Sequence, residues 1–123
     1  MLFQMLVNEG VGPDGVRLLQ PATVRGLSKR YRIGMYDEVQ RLTCDWGLGL
    51  FVGAVELVGT HASPETFGHG GSQSSVGFAD PEAQLVAAVA FNRRCGPEAN
   101  AERMHRVATA LYEDLGLRLA SPS

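Results

Sequence analysis

The sequence predicts an α+β domain in which an antiparallel sheet of about three strands is flanked by helices. The first observation is an uninterrupted apolar run at residues 85–91, which follows the turn Asp80-Pro81-Glu82 and is typical of a strand buried on both faces. The second is an amphipathic pattern from Met104 to Leu115, where apolar residues recur at helical spacing. The third is a pair of shorter helical patterns near the amino end.

Two helices are predicted before the first strand. Apolar residues within 2–6 follow helical spacing. A second helix should begin at Pro21, because proline suits the first helical position, and run through Ser28. Residues 29–45 mix charges with tyrosines and show no clear period, so we expect a long loop there.

Three strands and a final helix follow. Trp46–Gly53 is predicted to be a strand that Val55–Val58 continues. Gly71–Phe78 and Leu85–Phe91 should pair as an antiparallel hairpin through the Asp-Pro turn between them. The last helix should open at Pro97, since a proline and an acidic residue occupy its first turn.

Composition narrows the functional classes. The 123 residues suit one domain, and 45% apolar residues with 20% charged residues are typical of a globular chain. The formal charge of −2 argues against nucleic-acid or membrane-surface binding driven by charge. No apolar run approaches the roughly 18 residues of a membrane span. Because the two cysteines form no disulfide framework and the first residues do not resemble a signal peptide, we expect a cytoplasmic protein.

Complete catalytic sets are missing from the sequence. Lys29 is the single lysine, and Gly26 stands three positions before it, which excludes a Ser-x-x-Lys pair. None of the three tyrosines begins a Tyr-x-Asn triplet. The three histidines and two cysteines lack zinc-ligand spacing, so we predict neither a metal nor a cofactor.

The glycine-rich stretch at residues 67–78 is the best candidate for a site. Glycines within a strand expose backbone N–H groups, so a substrate carbonyl can approach without meeting a side chain. His69 adds a titratable ring beside those donors. This combination suits one wall of an acyl-transfer site, where backbone donors stabilise an oxyanion.

Several segments resemble one family, the serine β-lactamase-like hydrolases, which include class C β-lactamases, DD-peptidases and family VIII carboxylesterases. Phe67-Gly68-His69-Gly70-Gly71 is similar to the His-x-Gly form of the family's third active-site motif. The resemblance spans nearly the whole chain. Other segments are also similar to segments of the family and follow one another in the same order as there: Asp14–Leu19, Pro21–Val24, Trp46–Leu50 and Ser75–Glu82, then a hydrophobic strand ending at Asn92-Arg93.

The resemblance implies roles for four residues. His69 would occupy the third-motif position and polarise the substrate or tune the lysine and tyrosine of the other motifs. Gly70 and Gly71 would let the substrate lie along the strand as an added β-strand. The N–H of Ser72 would be one of two oxyanion donors, and the nucleophilic serine would supply the other.

Because the nucleophile and tyrosine motifs are missing, residues 1–123 are interpreted as a single partial domain, the carboxyl-terminal part of the β-lactamase-like α/β sandwich. The parent would be a serine hydrolase acting on a small ester or amide, with an esterase preferred to a β-lactamase or DD-peptidase. This chain alone should be inactive, and its partner would be the missing upstream portion of the fold. A non-catalytic fragment or an interaction module that docks on another polypeptide stays open, as does a homo-oligomer formed through exposed apolar surface.

Overall fold

Six antiparallel strands form one sheet in sequence order, with helices on both faces, in the computed structural model, which describes residues 1–117. The helices are α1 Leu2–Val7, α2 Pro21–Ser28, α3 Val55–Val58 and α4 Pro97–Asp114. The strands are β1 Arg32–Asp37, β2 Leu42–Trp46, β3 Phe51–Val52, β4 Phe67–Gly71, β5 Ser75–Asp80 and β6 Leu85–Ala90. The α+β antiparallel class is confirmed, but the sheet has six strands instead of about three.

The expected loop at residues 29–45 is wrong, because β1 and β2 form a hairpin there. The Asp37 carboxylate shapes its turn by accepting hydrogen bonds from the backbone N–H groups of Val39, at 2.9 Å, and Gln40, at 2.8 Å. Almost every side chain of β1 is exposed, so the strand lacks the alternation of apolar and polar residues by which strands are recognised.

The expected strand Trp46–Gly53 is interrupted, and its continuation is a helix. Gly47 and Leu50 close a bend between β2 and β3 through a 2.8 Å backbone hydrogen bond. Val55–Val58 forms α3, which packs on α4; the His105 Nδ1 on α4 donates to the Val55 carbonyl at 2.9 Å. A short apolar run is compatible with either a strand or a buried helical turn. Here the run packs against α4 and is helical.

The predicted α2, α4 and β5–β6 hairpin are confirmed. Pro21 and Pro97 each stand in the first turn of a helix. Asp80 pairs with Leu85 across the turn that joins β5 to β6. None of the helices within residues 1–117 combines the length and apolar character needed to cross a bilayer.

Alternate residues of the central strands contribute to two apolar cores, one on each face of the sheet. The α4 face buries Phe78, which stacks on Tyr112 with ring centroids 6.4 Å apart. The α1 face buries Phe67, whose ring lies 6.4 Å from that of Phe3. Strands β4 and β5 are therefore held from both sides, which gives the candidate site a rigid support.

Candidate functional site

The predicted site residues His69, Gly70 and Gly71 are the last three residues of β4, and Ser72 begins the turn that follows. On one side β5 pairs with the whole of β4, from Phe67 to Gly71. On the other side β3 pairs only with Phe67 and Gly68. Within residues 1–117, the last three residues of β4 therefore have one edge without a strand partner.

The backbone groups of Gly70 point toward this unpaired edge. In an antiparallel strand, successive residues direct their N–H and C=O groups to opposite sides. The Thr66 carbonyl points toward β3, because it accepts a 2.7 Å hydrogen bond from the Gly53 N–H. Gly68 and Gly70, two and four residues later, therefore face the same side, and at Gly70 that side has no strand.

The four predicted residues line one cavity of about 250 Å³. Its other walls come from the β1–β2 turn, through Val39 and Gln40, and from the first turns of α4, through Asn100 and Ala101. Arg94, after β6, also lines it. Sequence reasoning missed Gln40, Arg94 and Asn100 because they come from three separate segments and form no local motif.

The His69 side chain is exposed and packs edge-on against Trp46, with ring centroids 5.9 Å apart. The His69 Nδ1 lies within hydrogen-bond distance of the Gly70 carbonyl oxygen, which can only accept. In the neutral ring Nδ1 is therefore the protonated nitrogen, and Nε2 is left as an acceptor. That nitrogen can accept a hydrogen bond from a bound molecule.

The expected single strand Gly71–Phe78 is wrong, because a tight turn divides it. Ser72 and Gln73 have φ values of 45° and 57°, and the Ser74 N–H donates to the Gly71 carbonyl at 3.0 Å. Asn and Gly are the residues usually found in such a turn, so the Ser-Gln pair gave no turn signal. Within residues 1–117 no backbone carbonyl accepts a hydrogen bond from the Ser72 N–H.

The family model for beta-lactamase matches residues 6–111, which is most of the chain. The chain belongs to the beta-lactamase family. The family resemblance seen in the sequence is thus confirmed, as is its relation to serine hydrolases.

Two solved structures of this family share the fold. A penicillin-binding protein homolog from Caulobacter crescentus aligns with 91% of the chain at 26% identity and a TM-score of 0.71. A beta-lactamase from Mycobacterium bovis aligns with 89% at 21% identity and a TM-score of 0.68. The chain spans only 29% and 40% of those two proteins. No curated protein sequence matches the chain.

No nucleophile of a beta-lactamase-family enzyme is assembled within residues 1–117. The Ser75 hydroxyl donates to the Gly71 carbonyl at 3.1 Å, and the Ser74 hydroxyl lies 3.4 Å from the same oxygen. None of the side-chain hydrogen bonds in this part of the chain joins Ser72, Ser74 or Ser75 to a histidine or lysine. No group of three metal-ligating side chains occurs among the described residues either.

A buried carboxylate connects the loop before β4 to β5 and α4. Asp80, at the end of β5, is 1% exposed and accepts hydrogen bonds from the Ser63 N–H at 2.9 Å, the Ser63 hydroxyl at 2.7 Å and the Tyr112 hydroxyl at 2.7 Å. Burial alone would raise the pKa of Asp80, but these hydrogen bonds outweigh it and hold the pKa below its usual value. Asp80 thereby ties the loop before β4 to both β5 and α4.

Proposed function

We propose that this chain supplies one wall of the active site of a serine hydrolase that acts on esters. The observation that carries the proposal is that, within residues 1–117, Gly70 has no strand partner on one edge of β4, and Ser72, whose N–H donates to no backbone carbonyl there, lines the same cavity. A substrate laid along this edge gains backbone hydrogen bonds, and no side chain at Gly70 or Gly71 obstructs it. The Ser72 N–H is the oxyanion donor. The exposed His69 ring polarises the substrate or tunes the proton-transfer groups of the complete site.

The nucleophile belongs to another part of the fold in this proposal. Its serine hydroxyl attacks the ester carbonyl and passes its proton to a neighbouring base, while the Ser72 N–H holds the negative oxygen. The alcohol then leaves with a proton, and water hydrolyses the acyl-serine in a second step. Since the chain spans 29% and 40% of the matched proteins, the remaining length of such proteins is ample for a Ser-x-x-Lys segment.

The upstream portion of the fold is the partner that this proposal requires. Exposed apolar side chains are concentrated on β1 and its turn, where Ile33 is 68% exposed and Val39 is 83% exposed. Apolar surface of this kind marks an interaction site when it is contiguous. We therefore assign the β1 hairpin to the contact with the missing part of the domain.

Substrate class separates the esterase proposal from its nearest alternative. The His-x-Gly motif followed by Phe78-Ala79-Asp80-Pro81-Glu82 resembles family VIII carboxylesterases more than β-lactamases. The two solved structures that share the fold, a penicillin-binding protein homolog and a beta-lactamase, favour a β-lactam substrate instead. Turnover of a p-nitrophenyl ester compared with turnover of nitrocefin by the complete protein distinguishes the two.

A glycine substitution tests the assignment of the wall. A Cβ on Gly70 would have only the Ser75 carbonyl oxygen near it, at 3.6 Å, so Gly70→Val should fold. When this chain is combined with a polypeptide that carries the upstream part of the fold, Gly70→Val should lower ester turnover by roughly 100-fold, because the added side chain displaces the substrate from the oxyanion donor. Gly26→Ala is the control, since a Cβ there meets no neighbour. Equal turnover by Gly70→Val and wild type would remove the assignment and favour a non-catalytic interaction module.

A further inference from the structure

The guanidinium of Arg103, on α4, bridges two chain segments beside the candidate site. Its Nη2 donates to the carbonyl of Gln73 at 3.2 Å and to the carbonyl of Arg93 at 2.7 Å. Its Nε donates to the Oδ1 of Asn100 at 3.2 Å. The guanidinium carbon lies 4.1 Å from the ring centroid of Phe91, so the planar group stacks on an aromatic face.

The segment that Arg103 holds is the turn that contains the candidate oxyanion donor. Ser72 and Gln73 both adopt left-handed backbone conformations, which side chains with a Cβ disfavour. The turn's own backbone closure is one hydrogen bond, from the Ser74 N–H to the Gly71 carbonyl. The Gln73 carbonyl belongs to the same peptide group as the Ser74 N–H, so the contact with Arg103 orients the peptide group whose N–H closes the turn.

We propose that Arg103 is a positioning residue for the active-site wall, holding the turn at Ser72 and Gln73 so that the Ser72 N–H stays aimed into the cavity. Arginine suits this task because its rigid fork donates in several fixed directions while its face stacks on Phe91. Lysine offers a point charge without the fork or the stacking plane. The role of Arg103 in ordering the turn stands on geometry alone, and its consequence for turnover rests on the proposed function.

Amide exchange in the full 123-residue chain tests the ordering of the turn. In Arg103→Lys the Ser74 amide should exchange roughly tenfold faster than in wild type, the size expected from losing a hydrogen bond to a charged donor. The Phe78 amide, in the middle of β5, should keep its wild-type rate. Arg106→Lys is the matched control, because Arg106 is exposed on the same helix. An unchanged Ser74 rate, or equal acceleration at Ser74 and Phe78, would overturn the proposal.

A measurement on the wild-type chain covers the case in which Arg103→Lys does not fold. A guanidinium bonded to three acceptors rotates slowly, so the Arg103 side-chain N–H protons should give separate NMR signals at low temperature. The Arg106 protons should give averaged signals. Averaged signals for Arg103 as well would contradict the proposal without any substitution.

Kinetics of this chain combined with the upstream part of the fold separate this inference from the proposed function. Arg103→Lys should lower kcat for a p-nitrophenyl ester by roughly 10- to 100-fold and leave KM unchanged, because a misplaced donor affects the transition state more than substrate binding. If Gly70→Val lowers turnover while Arg103→Lys does not, only the role of Arg103 fails. If Gly70→Val has no effect while the exchange result holds, the proposed function fails and the ordering role stands.

Discussion

The carboxylate of Asp80 shows how one residue joins distant parts of this chain. Its hydrogen-bond donors Ser63 and Tyr112 lie 17 and 32 residues away in the sequence. The backbone N–H groups of Glu82 and Ala83 also donate to it, so the turn after β5 depends on the same group. A buried carboxylate with this many donors is stable as the anion and costly to leave without them.

The lowered pKa of Asp80 predicts a loss of stability in acid. In the unfolded chain the carboxyl titrates near 3.8, while in the folded chain its pKa is lower. The unfolded state therefore binds the proton first, so this contribution is complete above the unfolded value and is lost as the pH falls through the folded value. Urea unfolding between pH 6 and about pH 2.5 should show the decline in wild type.

Asp80→Asn should lose about 2 kcal/mol of the free energy of unfolding at pH 6, because an amide cannot accept from all the donors around it. Its stability should also fall less steeply in acid than that of wild type. Equal slopes in the two proteins would show that Asp80 does not carry this pH dependence.

Burial of Cys44 predicts selective thiol chemistry. Desolvation, assisted by the nearby negative charge of Asp37, raises the pKa of Cys44 to about 11, whereas Cys95 is exposed. Since the thiolate is the reactive form, a disulfide reagent at pH 8 should modify one thiol per native chain and two after unfolding. Cys95→Ser should abolish the native reaction, and rapid modification of both thiols in the native chain would contradict the burial of Cys44.

At the scale of the element, Gly68 and Gly70 of β4 differ in the space that the structure leaves for a side chain. A Cβ on Gly68 would overlap the Gly77 carbonyl oxygen and lie 2.8 Å from the Phe78 Cα, which are both backbone atoms that cannot move alone. A Cβ on Gly70 would meet only an ordinary contact. Gly68 thus permits the close approach of β4 and β5, whereas Gly70 is free of that packing demand and is the glycine that we assign to substrate binding.

Alanine at these two positions should separate packing from function. Gly68→Ala should lower the free energy of unfolding by about 1–3 kcal/mol, because the overlap must be relieved by moving strands apart. Gly70→Ala should change it by less than about 0.5 kcal/mol, as is usual away from packed positions. Denaturant unfolding of the two variants beside wild type measures both values, and equal losses would contradict the difference in packing.

The elements that the sequence predicts well are those whose side chains have a clear periodicity or a strong turn. Pro21 and Pro97 mark α2 and α4, and the Asp-Pro turn marks the β5–β6 hairpin. The β1–β2 hairpin escapes prediction because β1 is exposed on both faces. The turn at Ser72 and Gln73 escapes because its left-handed residues are neither Gly nor Asn.

The candidate site is predictable only in part. The residues from His69 to Ser72 stand together in the sequence, so a motif can identify them. The unpaired edge beside Gly70 depends on β3 being only two residues long, which no local pattern indicates. Arg103 reaches the turn from 30 residues away, so its contact with Gln73 is a property of the fold.

At the scale of the molecule, the two edge strands of the sheet differ in the apolar surface that they expose. Ile33, Met35 and Tyr36 on β1 are all more than half exposed. On the opposite edge, Val86 of β6 is 38% exposed. An edge strand with exposed apolar side chains is a template for pairing with another chain.

The isolated chain should therefore associate with itself through β1. Ile33→Lys should shift light scattering toward the monomer and reduce binding of the dye ANS, because a charge on an edge strand opposes pairing. Val86→Lys on the other edge is the control and should leave the association unchanged. A monodisperse wild-type monomer that does not bind ANS would contradict the assignment of β1 as an interaction surface.

The most direct test of the whole account is labelling by a fluorophosphonate probe, which reacts with activated serines. We expect no labelling of the purified 123-residue chain, because Ser72, Ser74 and Ser75 have no activating base among the described residues. When a separate polypeptide with the upstream part of the fold is added, a serine of that polypeptide should become labelled, and more slowly with Gly70→Val. Stoichiometric labelling of a serine in the isolated chain would contradict the account and make the chain an enzyme by itself.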